Sequence, residues 1–239
     1  MVVRLRLVRG ADIASWPVAA IAVSSNLTLA PNNNPHYWRF AGRTGTNGAV
    51  HDAAGPELLA AVRRLPVLHD ESESKSAAAV GIAGSARNTR CQVSRAVSTP
   101  AFGSLPCEYV IHAVAPDGMY GFERDSETQL RETYRAVLTE CARLRCKSLA
   151  MPAIGCGVQG WRPVFAARAA MAALETHNAS PWGGIPSEVD LVFNSESAWR
   201  GFRAVAQKHL GPPVTTEMDG YDDEIALWRL HLPRADSKL

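Results

Sequence analysis

The stretch "MPAIGCGVQGW", Met151 to Trp161, runs from apolar residues into Gly155, Gly157 and Gly160. The residues before it, "CKSLAMPAI", read as a short buried strand, and "RPVFAARAAMAALE" after it reads as a helix with Pro163 in its first turn. Strand, glycine loop, helix is the arrangement by which α/β proteins offer backbone N–H groups to a phosphate. Gly-x-Gly-x-x-Gly alone is a weak signal, because glycine also serves turns for purely geometric reasons. The rest of the chain has to decide between phosphate contact and a tight turn.

Outward from this loop the pattern is one of strands alternating with helices. "VVRLRLVRG" alternates apolar and basic residues, as a half-buried strand does, and "VAAIAVSS", Val18 to Ser25, is a continuous apolar run suited to a central strand. One helix is expected from Asn47 to Arg64 and an amphipathic one from Ser126 to Arg145. "QVSRAVST", "CEYVIHAVAP" and "EVDLVF" are further strands, and "SAWRGFRAVAQKHL" is a further helix. Long polar or small-residue insertions fall at about 27–41 and 66–89. Beyond Gly211 the chain is Pro-rich and then acidic, with "EIALWRLHL" as a candidate edge strand. The expectation is a three-layer α/β/α fold with a mixed, mostly parallel sheet over 1–210, followed by an extension over 211–239.

Composition excludes several classes. A chain of 239 residues with 46% apolar and 20% charged content is ordinary for a cored globular protein. A net charge of +2 argues against bulk nucleic-acid binding, though not against one small anion. No apolar run reaches the length of a membrane span. Five scattered cysteines, none at zinc-site spacing, fit free thiols in a reducing compartment. A cytoplasmic or nucleocytoplasmic monomer without cofactor or metal is expected.

Several pieces together resemble one family. "GTNGAVHDAAGPELL" is similar to the helix-leading segment of macro domains, the ADP-ribose-binding modules. "CEYVIHAVAP" resembles their central strand, "MPAIGCGVQGW" their second phosphate loop and "VDLVFNSESAW" their last strand. "DIASWPVAAIAVSSN" matches in length the family's Asp-Ile stretch that ends in Asn. The likeness spans about Val3 to Leu210, in order.

The resemblance implies roles. Asp12 would accept from the adenine amino group, beside the Ile13 backbone, and Asn26 would face the distal ribose. Gly42, Gly45 and Gly48 stand in the first glycine-rich loop; Gly155, Cys156, Gly157, Val158, Gln159 and Gly160 stand in the second. Phe193 or Asn194 lies where the family packs an aromatic on adenine. The partner implied is ADP-ribose, free or terminal on a modified protein or nucleic-acid end. Bland alternatives stand beside these roles: Asp12 as a helix cap, Asn26 as a turn residue, and Cys156 as a small filler rather than a reactive thiol.

This chain departs from the family at several points. The family's upstream Asn is Val23, the first loop reads Gly42-Arg43-Thr44-Gly45, and the loop before it carries the added "PNNNPHYWRF". Many hydrolytic members have an Asp where this chain has Asn47, and an amide cannot take a proton from water. His51, one turn on, is either a substitute base or a structural residue. Gln159 replaces an aromatic. The expected function is ADP-ribose binding. Hydrolysis by substrate-assisted water attack, with the water held between the substrate's own phosphate and Asn26 or Asn47, stays open. So does a scaffold with a vestigial pocket whose inserted loops bind a protein partner.

Overall fold

The computed structural model describes residues 2–31, 45–68, 88–118, 125–178, 186–219 and 223–231. Gly42, Arg43, "HYWRF" and most of both insertions lie outside the described residues.

Eight strands form one sheet in the order β3-β4-β2-β5-β6-β1-β8-β7. They are β1 (Val2–Arg9), β2 (Ala20–Ser24), β3 (Ala96–Pro100), β4 (Tyr109–Ala113), β5 (Ser148–Met151), β6 (Glu188–Phe193), β7 (Thr215–Asp219) and β8 (Asp223–His231). The five inner strands β4, β2, β5, β6 and β1 are mutually parallel, while β3 on one side and β8 on the other run antiparallel to them, and β7 pairs antiparallel with β8. The mixed, mostly parallel sheet expected from the alternation of strands and helices is present.

Helices cover both faces. On one face α3 (Ser126–Arg143), α4 (Pro163–Asn178) and α5 (Glu196–Leu210) pack side by side. They close a core containing Leu5, Leu7, Tyr134, Leu138, Leu191 and Phe202. On the other face α1 (Gly45–Ala54) and a short 3-10 turn (Ile13–Ser15) lie over Ile21, Val23, Val110 and Val192. The continuous apolar run of β2 is thereby explained: Ala20 and Ala22 face the first core, Ile21 and Val23 the second.

Two sequence readings need correction. The single helix expected over Asn47 to Arg64 is two, α1 and α2 (Pro56–Arg64). Gly55 adopts φ 73°, and Pro56 has no N–H to continue the ladder, so the chain turns there and restarts with proline in the first turn. "EIALWRLHL" belongs to β8, which is not an edge strand: it pairs along all of β1, and β7 lies outside it. Trp228 of β8 is buried in the main core and donates from Nε1 to the Gly211 carbonyl at 2.9 Å.

Candidate functional site

The parallel strands of an open α/β sheet end on one side, and ligands of such folds gather beyond those carboxyl ends. Here that side collects Gly10–Asp12 after β1, Ser25 and Asn26 after β2, Val114–Gly118 after β4, the glycine loop after β5 and Asn194 after β6. The residues singled out in the sequence are drawn from four of these five connections.

The glycine loop is built from beneath. Trp161 is buried, donates from Nε1 to the Pro116 carbonyl at 2.9 Å, and its backbone N–H closes on the Gly155 carbonyl at 3.0 Å. The buried Tyr134 hydroxyl donates to the Ile154 carbonyl at 3.3 Å, and Gly118 N–H donates to the Gln159 carbonyl at 2.7 Å. Gly155 has φ 84°, and a Cβ there would lie 2.8 Å from Trp161 Cδ1, so both backbone and packing require glycine. Gly157 differs: its φ is outside the left-handed region and a Cβ would meet nothing within 4 Å. Cys156 N–H is spent on the Ala153 carbonyl at 3.1 Å. Among the described residues the N–H groups of Gly157, Val158 and Gln159 have no such partner. The Gln159 side chain spans to the end of β2, accepting from Ser24 Oγ at 3.4 Å. Burial pushes the Cys156 thiol up to about 12, which leaves it protonated at neutral pH and favours the filler reading.

Gly45 and Gly48, expected in a loop, are the first and fourth residues of α1. The leading N–H groups of a helix lack intrahelical partners, so the segment still offers donors, by a helix start rather than a loop. Asn47 is buried in that first turn and donates from Nδ2 to Ser25 Oγ at 3.2 Å. Its Oδ1 is buried without a hydrogen-bond partner among the described residues.

His51, one turn on, is buried too. Desolvation lowers its pKa, opposed by its hydrogen bond to the Leu29 backbone, and Nε2 has no partner among the described residues. Assigning the Leu29 bond to Nδ1–H leaves Nε2 as a bare lone pair. Across from it, with ring centroids 6.2 Å apart, His112 is wholly buried and shares a 3.0 Å bond between Nε2 and Thr99 Oγ1. Burial pushes His112 down to about 3.

The remaining candidates divide. Asp12 is exposed and caps the 3-10 turn, its Oδ1 accepting from Ala14 N–H at 3.0 Å, while Ile13 is buried beneath. Asn26 is exposed and shapes its own turn: Oδ1 accepts from Thr28 N–H and Oγ1, and Nδ2 donates to the Ala30 carbonyl at 3.0 Å. Phe193 is not available to a ligand, since its ring is buried against Phe202 with centroids 4.9 Å apart. Asn194 is the exposed residue of that pair. Sequence reading missed Tyr134, Pro116 and Gly118, which support the loop. It missed Ser25 as well, although "SSN" directly precedes Asn26. Among the described residues no group of three or more His, Cys, Asp or Glu side chains is placed to hold a metal ion. No described helix is long and apolar enough to cross a membrane.

Known proteins resemble this chain over most of its length. The Macro domain family model matches residues 34–170. A macro domain-containing protein of Vibrio parahaemolyticus is 37% identical over 168 residues, covering 70% of this chain and 79% of the relative. An O-acetyl-ADP-ribose deacetylase of Salmonella typhimurium is 33% identical over 171 residues, covering 72% and 77%. Among solved structures, the Oceanobacillus iheyensis macrodomain with ADP superimposes with a TM-score of 0.63 at 24% identity, covering 85% of this chain and 90% of that one. The Trypanosoma brucei macrodomain in complex with ADP-ribose gives 0.57 at 21%, covering 83% and 67%. On sequence and fold together, the chain belongs to the macro domain family.

Proposed function

We propose that this protein binds ADP-ribose, free or as the terminal group of a modified macromolecule. The observation that carries this is the run of three N–H groups at Gly157, Val158 and Gln159 that no backbone carbonyl of the described residues engages, opening with a glycine that local packing does not require. A diphosphate lying over that run takes up donors that otherwise face water, and glycine at 157 keeps them accessible. The start of α1, with Gly45 and Gly48, closes from the other side. Asp12 has a second carboxylate oxygen, beyond the one used as a cap, to accept from an adenine amino group. The exposed Asn194 borders the same end. Asn26 offers its remaining amide hydrogen to a ribose hydroxyl. The relatives named as O-acetyl-ADP-ribose deacetylases and the macrodomain structures solved with ADP or ADP-ribose support the reading.

Hydrolysis of an ADP-ribosyl ester is a second reading, favoured by one observation. Asn47 Oδ1 is a buried acceptor without a partner among the described residues, next to Ser25 at the foot of the proposed ribose site. It can hold a water but not deprotonate it, so the substrate's own phosphate supplies the base.

Calorimetric titration with ADP-ribose, with AMP and NAD as controls, tests binding. The expected outcome is roughly micromolar affinity, about −8 kcal/mol, that AMP does not match, and its loss in Gly157→Glu. Heat that survives in Gly157→Glu would remove the second loop from the site. Absence of heat in the wild type would leave the fold serving as a scaffold.

A further inference from the structure

Away from the glycine loop, a cavity of about 590 Å³ lies where the end of β1 meets the first turns of α5. It is lined by Arg9, Glu196, Trp199, Arg200, Arg203 and Gln207, among others. We propose that this cavity is a second anion site, taking a phosphate group.

The cluster is a built one. Trp199 is buried and carries two guanidinium groups over its ring, Arg9 at 5.5 Å and Arg203 at 4.9 Å from the centroid. Cations held on an aromatic face have given up much of their rotamer freedom before a ligand arrives. Glu196 bridges the other way, pairing with Arg9 at 3.0 Å and with Arg200 at 2.6 Å. Arg9 and Arg200 share the single Glu196 carboxylate, which leaves that pair of guanidinium groups with a net positive charge. Trp199 Nε1 and Arg9 Nε are both buried and lack hydrogen-bond partners among the described residues. A cleft that pairs this positive charge with unspent buried N–H donors is short of an acceptor.

The chemistry of these groups selects phosphate. Arginine forks meet its oxygens in pairs, and the indole N–H adds a further donor. The volume is within the roughly 300–1,000 Å³ of small-ligand sites, so the phosphate of a nucleotide fits as well as an inorganic ion. With the site empty, Glu196 acts as the internal counter-ion. Its place in the first turn of α5 suits a carboxylate there. An incoming phosphate competes with it for Arg9 and Arg200. The site shares no residue with the glycine loop and does not depend on ADP-ribose being the ligand there.

The test follows the Trp199 indole N–H resonance of the full chain in the Gly157→Glu background, so that a phosphate on the glycine loop does not contribute. The probes are inorganic phosphate, pyrophosphate and AMP. The expected result is a saturable shift of that resonance, weakened about tenfold or more in the Arg9→Gln, Arg203→Gln double variant. Glu196→Gln, an exposed substitution, should tighten it several-fold by removing the competing carboxylate. A shift with AMP alone assigns a nucleotide-borne phosphate, and a shift with all three probes assigns the phosphate group itself. No saturable shift overturns the proposal, as does unchanged or weaker affinity in Glu196→Gln. Unchanged affinity in a folded double variant overturns it equally.

Discussion

Gly155 and Gly157 stand two residues apart and answer to different demands. Gly155 is forced by its left-handed φ and by Trp161, whereas Gly157 sits in open space with an ordinary backbone. A side chain at 157 therefore costs the fold little and obstructs only what lies above the loop, which is why Gly157→Glu separates binding from folding. Asn47 makes a comparable contrast with its neighbour His51. Both are buried, both leave one polar atom without a partner among the described residues, and neither is a carboxylate. Asn47→Asp puts a proton acceptor where the amide sits, beside Ser25 Oγ. In an assay with an ADP-ribosyl ester, hydrolysis should rise by about 10²-fold or more, the usual contribution of a placed general base. No rise would show that Asn47 does not face the scissile bond.

At the scale of elements, the β5–loop–α4 unit is held by a few side chains packed under backbone turns. Gly155→Ala asks a residue with a Cβ to keep φ 84° and to come within 2.8 Å of the Trp161 ring. It should cost about 1–3 kcal/mol, read as a fall in the urea midpoint at constant m-value. Binding should weaken too, since Trp161 and the Pro116 carbonyl set the height of the loop. A change below about 0.5 kcal/mol would mean that the loop relaxes freely and is not the rigid cradle described. Helix α1 shows the other side of element-level reading. The one helix expected from Asn47 to Arg64 is divided at Gly55-Pro56 into α1 and α2, and the two pack on different neighbours.

Across the whole molecule, two predictions concern the buried framework. His112 is wholly buried, with a pKa near 3, and burial lowers His51 as well. An unfolded histidine titrates near 6.5, so below that pH the unfolded chain takes up protons that the folded chain refuses. The stability these residues allow is complete above about pH 6.5. For His112 it should fall by about 1.4 kcal/mol per pH unit as pH drops toward its folded value, and His51 adds to the loss in the same direction. Urea midpoints at pH 7, 6 and 5 measure the slope, which should shrink in His112→Gln; an identical slope in that variant would assign the loss to other groups. The β7–β8 hairpin carries the second prediction. β8 pairs along the full length of β1 and buries Trp228, so Trp228→Ala should cost about 3–5 kcal/mol. We propose on this basis that the folded unit includes β8 rather than ending near 210. A thermal melt unchanged by the substitution would place the boundary at Gly211 after all.

What the sequence determined by itself is what local periodicity and short-range spacing encode. The alternation of β1, the unbroken apolar run of β2 and the strand, glycine loop, helix order around Gly157 each state their own conformation, because every few residues repeat the signal. The two-faced parallel sheet follows from that alternation. Only the tertiary structure decided which of Phe193 and Asn194 is exposed. Phe193 is turned into the core against Phe202, because the strand period places it on the face covered by α5. Asp190, unremarkable in sequence, is wholly buried and held by Arg6 at 2.6 Å and Trp16 at 2.8 Å, partners more than 170 residues away. The Trp199 arginine cluster likewise joins the ninth residue to the third turn of the last helix. Such contacts are set by strand order and register, which no local stretch of chain records.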